Sequence, residues 1–283
     1  MATQLAAAAA AVRPLVDGGP REGIVIGSFA RAVILGMRTR EGPRVLSLLS
    51  APAVAVPNGV MLIGDPAAFA CCRPGDPTIV GDGEIRVGDL RVRVVRSWEC
   101  RVHRVRPTAD GVGALAAAAA ASPIGVPQRA VDALAGALAA GGRRQDLSVA
   151  VAGLVGLGRG LTPGGDDVLA GLMTGLHACG GATLAARIGD LALQGVSDRT
   201  TLLSADLLRL AADGQACTEA LDLLRLLDRP RPVVDDSAVS RAIDRILSIG
   251  HTSGADLATG LALGLRCGLS TVAEQPPARQ EVR

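Results

Sequence analysis

The residues best placed to do chemistry lie in Gly156-Leu-Gly-Arg-Gly-Leu-Thr-Pro-Gly-Gly-Asp-Asp167, and a shorter copy follows at Gly250-His-Thr-Ser-Gly-Ala-Asp256. Both read Gly-x-Thr-(Pro or Ser)-Gly-x-Asp, and both lead into Gly-Leu-x-x-Gly-Leu, at Gly171 to Leu176 and Gly260 to Leu265. A glycine-flanked helix start leaves first-turn amides uncovered at the positive end of the helix dipole, which suits phosphate or carboxylate. The expected site is therefore one for a small oxyanion. Backbone near Gly158, Gly160, Gly164, Gly165 and Gly254 would approach it, with the hydroxyls of Thr162, Thr252 and Ser253 beside it.

The carboxylates in these turns stabilise a helix start, hold a cation or accept a proton. Aligned motif to motif, Asp166 matches Asp256, and Leu257 stands where Asp167 stands. Asp167 is thus singled out for a specific chemical role, with Asp166 beside it. His251 replaces Leu161 in the second copy, as a proton donor, a substrate ligand or an ordinary hydrogen-bonded histidine. Arg199-Thr200-Thr201 with Ser204 precedes another helix, where a guanidinium and hydroxyls can grip an oxyanion or simply cap the helix. His103, His177, Cys71 and Cys72 read as structural. The sequence names no metal ligands but leaves a divalent cation open.

Two kinds of element must position these residues. From about Gly23 to Arg106 short strands are expected at Ile24–Ile26, Ala32–Leu35, Val45–Leu49 and Val54–Val56, separated by Gly/Pro turns. The run Ile85 to Val95 alternates, with Val and Leu inward and Arg86, Arg91 and Arg93 outward. Seven arginines fall between Arg86 and Arg106. They read as a solvated sheet face or as a docking surface for an acidic partner.

After Pro107 helical spacing takes over. Helices are expected at Gly113–Ala121, Gln128–Ala140, Asp166–Cys179, Thr183–Gln194, Thr201–Ala212, Cys217–Leu227, Ser237–Ile249 and Gly254–Leu269. Thr162 suits a cap with Pro163 in the first helical position, and Ser253 with Asp256 suits an acidic capping box. The glycines four apart (Gly171, Gly175, Gly260, Gly264) would let two helices approach closely. The fold expected is α+β. It has a mostly antiparallel β domain over 1–110, an all-α domain over 111–273 carrying two pseudo-repeated Gly-rich helix starts, and a disordered tail over 274–283.

Composition sets the outer bounds. The 283 residues are 49% apolar, which is enough for a sizeable core. The chain contains no Lys and no Tyr, so a Schiff-base lysine, a lysine-bearing phosphate loop and tyrosine acid–base chemistry are excluded. A net charge of +2 and 1% aromatics give nucleic acid little to bind. The six cysteines lack paired spacing, which points to reduced thiols in a cytoplasmic protein. Leu5 to Val12 is too short to span a membrane and reads as a helix rather than a signal peptide.

Three segments, Gly158-x-Gly-Leu-Thr-Pro-Gly-Gly-Asp-Asp167-x-Leu-Ala-Gly171, Arg199-Thr-Thr-x-x-Ser204 and Gly250-His-Thr-Ser-Gly254-x-Asp256, resemble the AllH-like family. That family is associated with oxamate carbamoyltransferase. Ser28-Phe-Ala-Arg31-Ala-Val33 and Val56-Pro-Asn58-Gly-Val60 extend the likeness, so that it covers roughly residues 24 to 270. The family has Ser where this chain has Gly165, a departure that bears on substrate identity.

The resemblance implies transfer of a carbamoyl group between carbamoyl phosphate and oxamate in purine (allantoin) catabolism, and companion subunits. Ser28, Arg31 and Asn58 join the substrate-binding candidates on this ground. Three readings stay open: a catalytic subunit, a noncatalytic assembly or regulatory subunit, and a stand-alone enzyme for another small amide or phosphorylated metabolite. A homo-oligomer is also open.

Overall fold

A computed structural model describes residues 3–63, 66–228 and 236–273. The expected disordered tail, 274–283, lies outside them. Strands occupy the first part of the chain: β1 (Gln4–Ala9), β2 (Arg21–Phe29), β3 (Ala32–Thr39), β4 (Gly42–Ser50), β5 (Gly59–Leu62), β6 (Pro77–Gly81), β7 (Glu84–Val87) and β8 (Leu90–Trp98). A short helix α1 (Arg13–Asp17) follows β1.

These strands close into a barrel in the order β1-β5-β4-β3-β2-β6-β7-β8. Most pairings are antiparallel, but β1–β8 and β4–β5 are parallel. The expected sheet is thus a closed barrel, which removes the free edges that an open sheet would expose. Alternation along β7 and β8 buries Ile85, Val87, Leu90, Val92 and Val94 and turns Arg86, Arg91 and Arg93 outward, as their spacing foretold.

Two expectations fail in this part. Leu5 to Val12 is not a helix: its first residues form β1, and Ala6, Ala8 and Ala9 are buried. Pairing on both sides, with β5 and β8, overrides the helix preference of alanine. Val54–Val56 is not a strand either. It lies in the loop from β4 to β5, between Pro52 and Pro57, where the Ala55 carbonyl accepts from the Thr218 amide (3.2 Å) and hydroxyl (3.1 Å).

The helices follow: α2 (Ala109–Ala120), α3 (Gln128–Ala139), α4 (Arg144–Leu154), α5 (Gly164–Ala178), α6 (Ala182–Leu193), α7 (Leu202–Ala212), α8 (Thr218–Leu227), α9 (Asp236–Leu247) and α10 (Ser253–Ala273). The sequence reading missed α4, whose Ser-Val-Ala-Val run mimics strand alternation. α2 begins earlier than expected because Thr108 caps it, its hydroxyl accepting from the Gly111 amide (3.0 Å). No helix among the described residues is long and apolar enough to cross a membrane.

Helices α5 and α10 form the centre of the helical half, and their contact is reciprocal. A Cβ on Gly171 would lie 2.1 Å from the Leu257 carbonyl oxygen, and one on Gly260 would lie 1.9 Å from that of Val168. Farther along, Gly175 meets Leu261 O at 2.6 Å and Gly264 meets Leu172 O at 2.4 Å. Only glycine permits backbones this close. Helix α7 joins the two halves. Leu203 packs on Ile34 and Val45 outside the barrel, and buried Asp206 accepts from Arg44 Nε of β4 (2.9 Å).

Candidate functional site

The glycine contacts set the true register of the two turns. Gly171 faces Gly260 and Gly175 faces Gly264; counting back puts Asp167, not Asp166, in correspondence with Asp256, and Gly165 with Gly254. The helix ends agree. A Cβ on Gly165 would meet Leu154 O at 2.0 Å, and one on Gly254 would meet Ile246 O at 2.0 Å, so each start is wedged against the end of the preceding helix. The direct motif alignment is therefore off by one residue. Asp167 does have an acidic counterpart, and Ala255 corresponds to Asp166.

Helix α5 starts at Gly164, one residue later than a Thr162 cap would start it, with Pro163 rather than Thr162 in the cap position and no side chain capping it. The Thr162 hydroxyl instead meets the Ser253 hydroxyl at 3.2 Å, joining the two turns. Asp256 forms no capping box, since α10 opens at Ser253. Both of its oxygens accept from the Gly125 amide (2.9 and 3.0 Å), in the loop between α2 and α3. Asp256 is fully buried, and its Oδ2 would lie 2.6 Å from a Cβ on Gly164. Burial raises its carboxyl above the ordinary value, while the Gly125 amide and Thr252 hydroxyl pull it back.

Gly125 is the site residue that sequence reading missed. A side chain there would meet Thr252 Oγ1 at 2.7 Å and Asp256 Oδ2 at 2.8 Å. Its only signal was a loop glycine set between Pro123 and Pro127. Gly158, at a positive φ of 118°, completes the cradle: a Cβ there would lie 2.8 Å from the Gly164 amide nitrogen. Gly160 also has positive φ, at 99°, with open space around it.

Asp167 lies beside this cradle, near the Ser253 and Thr162 hydroxyls and the Asp256 carboxyl. Its Oδ2 is buried without a hydrogen-bond partner among the described residues. Burial lifts its carboxyl well above the usual carboxylate range, the charges of Asp256 and Asp166 add to the rise, and the hydroxyls of Ser253 and Thr162 oppose it. A proton-binding group has thus been placed among glycines, beside two hydroxyls and a second carboxylate.

Asp166 is in a different situation. Its Oδ1 accepts from the Gly156 amide (2.8 Å), and its Oδ2 accepts from the hydroxyls of Thr200 and Ser204 (2.7 Å for Ser204). The oxyanion gripped by these hydroxyls is the protein's own. Thr201 caps α7, accepting from the Ser204 amide (3.0 Å), and donates to the Leu161 carbonyl. Arg199 donates to the Ala152 carbonyl, and its own carbonyl oxygen lies where a Gly156 side chain would be, at 1.9 Å.

Other candidates stand apart from this cluster or are already committed. The amides of Gly165 and Gly254 donate to Leu157 O (2.8 Å) and Ile249 O (3.0 Å). Position 165 faces a backbone carbonyl rather than a ligand space, so glycine there answers to packing. His251 is exposed at the outer side of its turn. Asn58 is buried beside β4, within 3.4 Å of the Ser47 hydroxyl, with its amide nitrogen unpartnered. Ser28 lines a hollow with Phe29 of β2 and with Phe69 of the segment between β5 and β6, away from the glycine turns, and Arg31 is exposed in the turn after β2. Among the described residues, no group of three or more His, Cys, Asp or Glu is arranged to hold a metal ion.

A family model described as oxamate carbamoyltransferase subunit AllH matches residues 154–265. The match runs from the end of α4 into α10 and contains both glycine turns and the Asp166 knot. The resemblance drawn from the motifs is met over this stretch, whereas Ser28 to Val33 and Val56 to Val60 lie before it. No solved structure matches the chain.

Proposed function

We propose that this chain serves as a subunit of a carbamoyltransferase that takes carbamoyl phosphate and oxamate to oxalurate and phosphate, and that the cradle at Asp167 carries its chemistry. The observation behind this reading is the buried, unpartnered Oδ2 of Asp167 at the meeting of two glycine-bounded helix starts. The matched family description supplies the reaction class.

In such a transfer the oxamate amide nitrogen attacks the carbamoyl carbon. A nitrogen–carbon bond forms, the carbon–oxygen bond to phosphate breaks, and the nitrogen gives up a proton. Asp167 in its ionised form accepts that proton, and its raised pKa makes it a stronger base than an exposed aspartate. The Gly164 amide is the donor offered to the oxyanion that develops on the carbamoyl group, while the hydroxyls of Thr162 and Ser253 serve Asp167. Asp166 and Arg199 act as positioning residues, fixing the turn to α4 and α7.

Companion subunits belong to the same proposal. The outer face of the barrel offers a docking surface, because Ile79, Arg86 and Arg91 stand in register on β6, β7 and β8, with Ile79 exposed. This surface also favours the second reading, a noncatalytic assembly subunit. The discriminating assay measures oxalurate formation by the reconstituted complex with and without this chain, and then with Asp167 substituted. The proposal expects loss in both cases; full turnover without the chain would overturn it, and loss only on omission would favour the assembly role.

A further inference from the structure

A cleft of about 980 Å³ lies between one end of the barrel and helix α7. Five arginines line it: Arg21 at the start of β2, Arg40 in the β3–β4 turn, Arg44 on β4, Arg101 after β8 and Arg209 on α7. Their charge is only partly neutralised. Arg44 and Arg209 share Asp206 (2.9 and 3.1 Å), and Arg209 also meets Asp213 (3.1 Å). Glu41 lies 3.9 Å from Arg44 with its side chain 85% exposed. Arg21 donates to the carbonyls of Leu15 and Gly19 (3.2 Å each), which fix its guanidinium without cancelling its charge. Arg40 and Arg101 are exposed and make no ion pair with another described residue. Glu99 accepts from the Arg101 backbone amide (2.7 Å) rather than from its guanidinium.

We propose that this cleft binds a phosphorylated metabolite of nucleoside-diphosphate size, with its phosphates on Arg21, Arg40 and Arg101. The volume lies at the upper end of the range for small-molecule sites, about 300–1,000 Å³, and is ill matched to a lone small oxyanion. Forked guanidiniums from separate segments suit a group with several phosphate oxygens. Pro14, Leu15, Pro20 and Leu210 give the cleft an apolar wall for the rest of the ligand. The site is distinct from the glycine cradle, yet α7 links them: Ser204 holds Asp166 while Asp206 holds Arg44.

Isothermal titration of the full chain with ADP and, separately, with pyrophosphate tests this independently of any turnover. The expected result is saturable ADP binding, tighter than pyrophosphate, and weakened about tenfold or more in an Arg40→Ala/Arg101→Ala double variant. Both positions are exposed, so the fold should survive; an unchanged melting temperature checks this, and Arg129→Ala, on α3, should bind as the parent does. Absence of ADP binding, or ADP binding undiminished in the double variant, would overturn the proposal. Pyrophosphate binding as tightly as ADP would overturn the nucleotide-sized occupant.

Discussion

Gly171 and Gly260 each occupy the place where the other helix's backbone comes closest, 2.1 Å from Leu257 O and 1.9 Å from Val168 O as measured from an added Cβ. Neither helix can give way alone, because the contact recurs at Gly175 and Gly264. Gly260→Ala should therefore lower stability by about 3 kcal/mol or more, at the upper end of overpacking costs. Gly113→Ala, on an exposed helix face with nothing within 4 Å, should be neutral or raise stability by about 0.5–1 kcal/mol. Urea denaturation of both variants checks the pair, and equal effects would contradict the close-packed seam.

Removing a hydroxyl from the Asp166 knot leaves a buried carboxylate short of a donor. Ser204→Ala should cost about 1–3 kcal/mol by urea denaturation, and Thr200→Val a similar amount. An unaltered midpoint in both would show that Asp166 does not depend on these donors.

Asp167 and Asp256 both bind protons more tightly in the folded chain than in the unfolded one. The unfolded carboxyl ionises first as pH rises, so between the unfolded and folded pKa values the folded state binds more protons and stability falls with increasing pH. Asp167→Asn cannot ionise and escapes this loss. The variant should melt higher than the parent at pH 8, with the gap narrowing toward pH 5. A constant gap, or a lower melting temperature at pH 8, would contradict the buried-carboxyl assignment.

Gly125→Ala pushes a methyl against Thr252 Oγ1 and Asp256 Oδ2. Because the glycine lies in an exposed loop, the fold should tolerate the change better than the site does. Turnover of the complex should fall by about tenfold or more, while the melting temperature shifts by a few degrees at most. Retained turnover would remove Gly125 from the site.

The helices were readable because their apolar spacing and caps are local: α3, α6, α7 and α8 begin and end within a residue or so of expectation. Barrel closure was not readable, since the parallel β1–β8 pairing joins distant segments and draws an alanine run, helical by propensity, into a strand. The glycine turns were visible as motifs, but their mutual register was not. The first turn runs from Val155 to Pro163 and the second only from Ser248 to Thr252, so matching motif letters slips the helices by one residue. The interior glycines carried the right register, because backbone contact fixes them. Gly125 escaped notice because its importance comes from Asp256, far along the chain.

Proton transfer to Asp167 during carbamoyl transfer is tested by the pH–rate profile of oxalurate formation by the reconstituted complex, with the parent chain and with Asp167→Asn. In the parent, kcat/KM should rise with pH along a limb set above the ordinary aspartate range, and the variant, folded and assembled, should lose about 10²–10⁴-fold in kcat together with that limb. A variant that keeps the parent's rate and pH profile would contradict it.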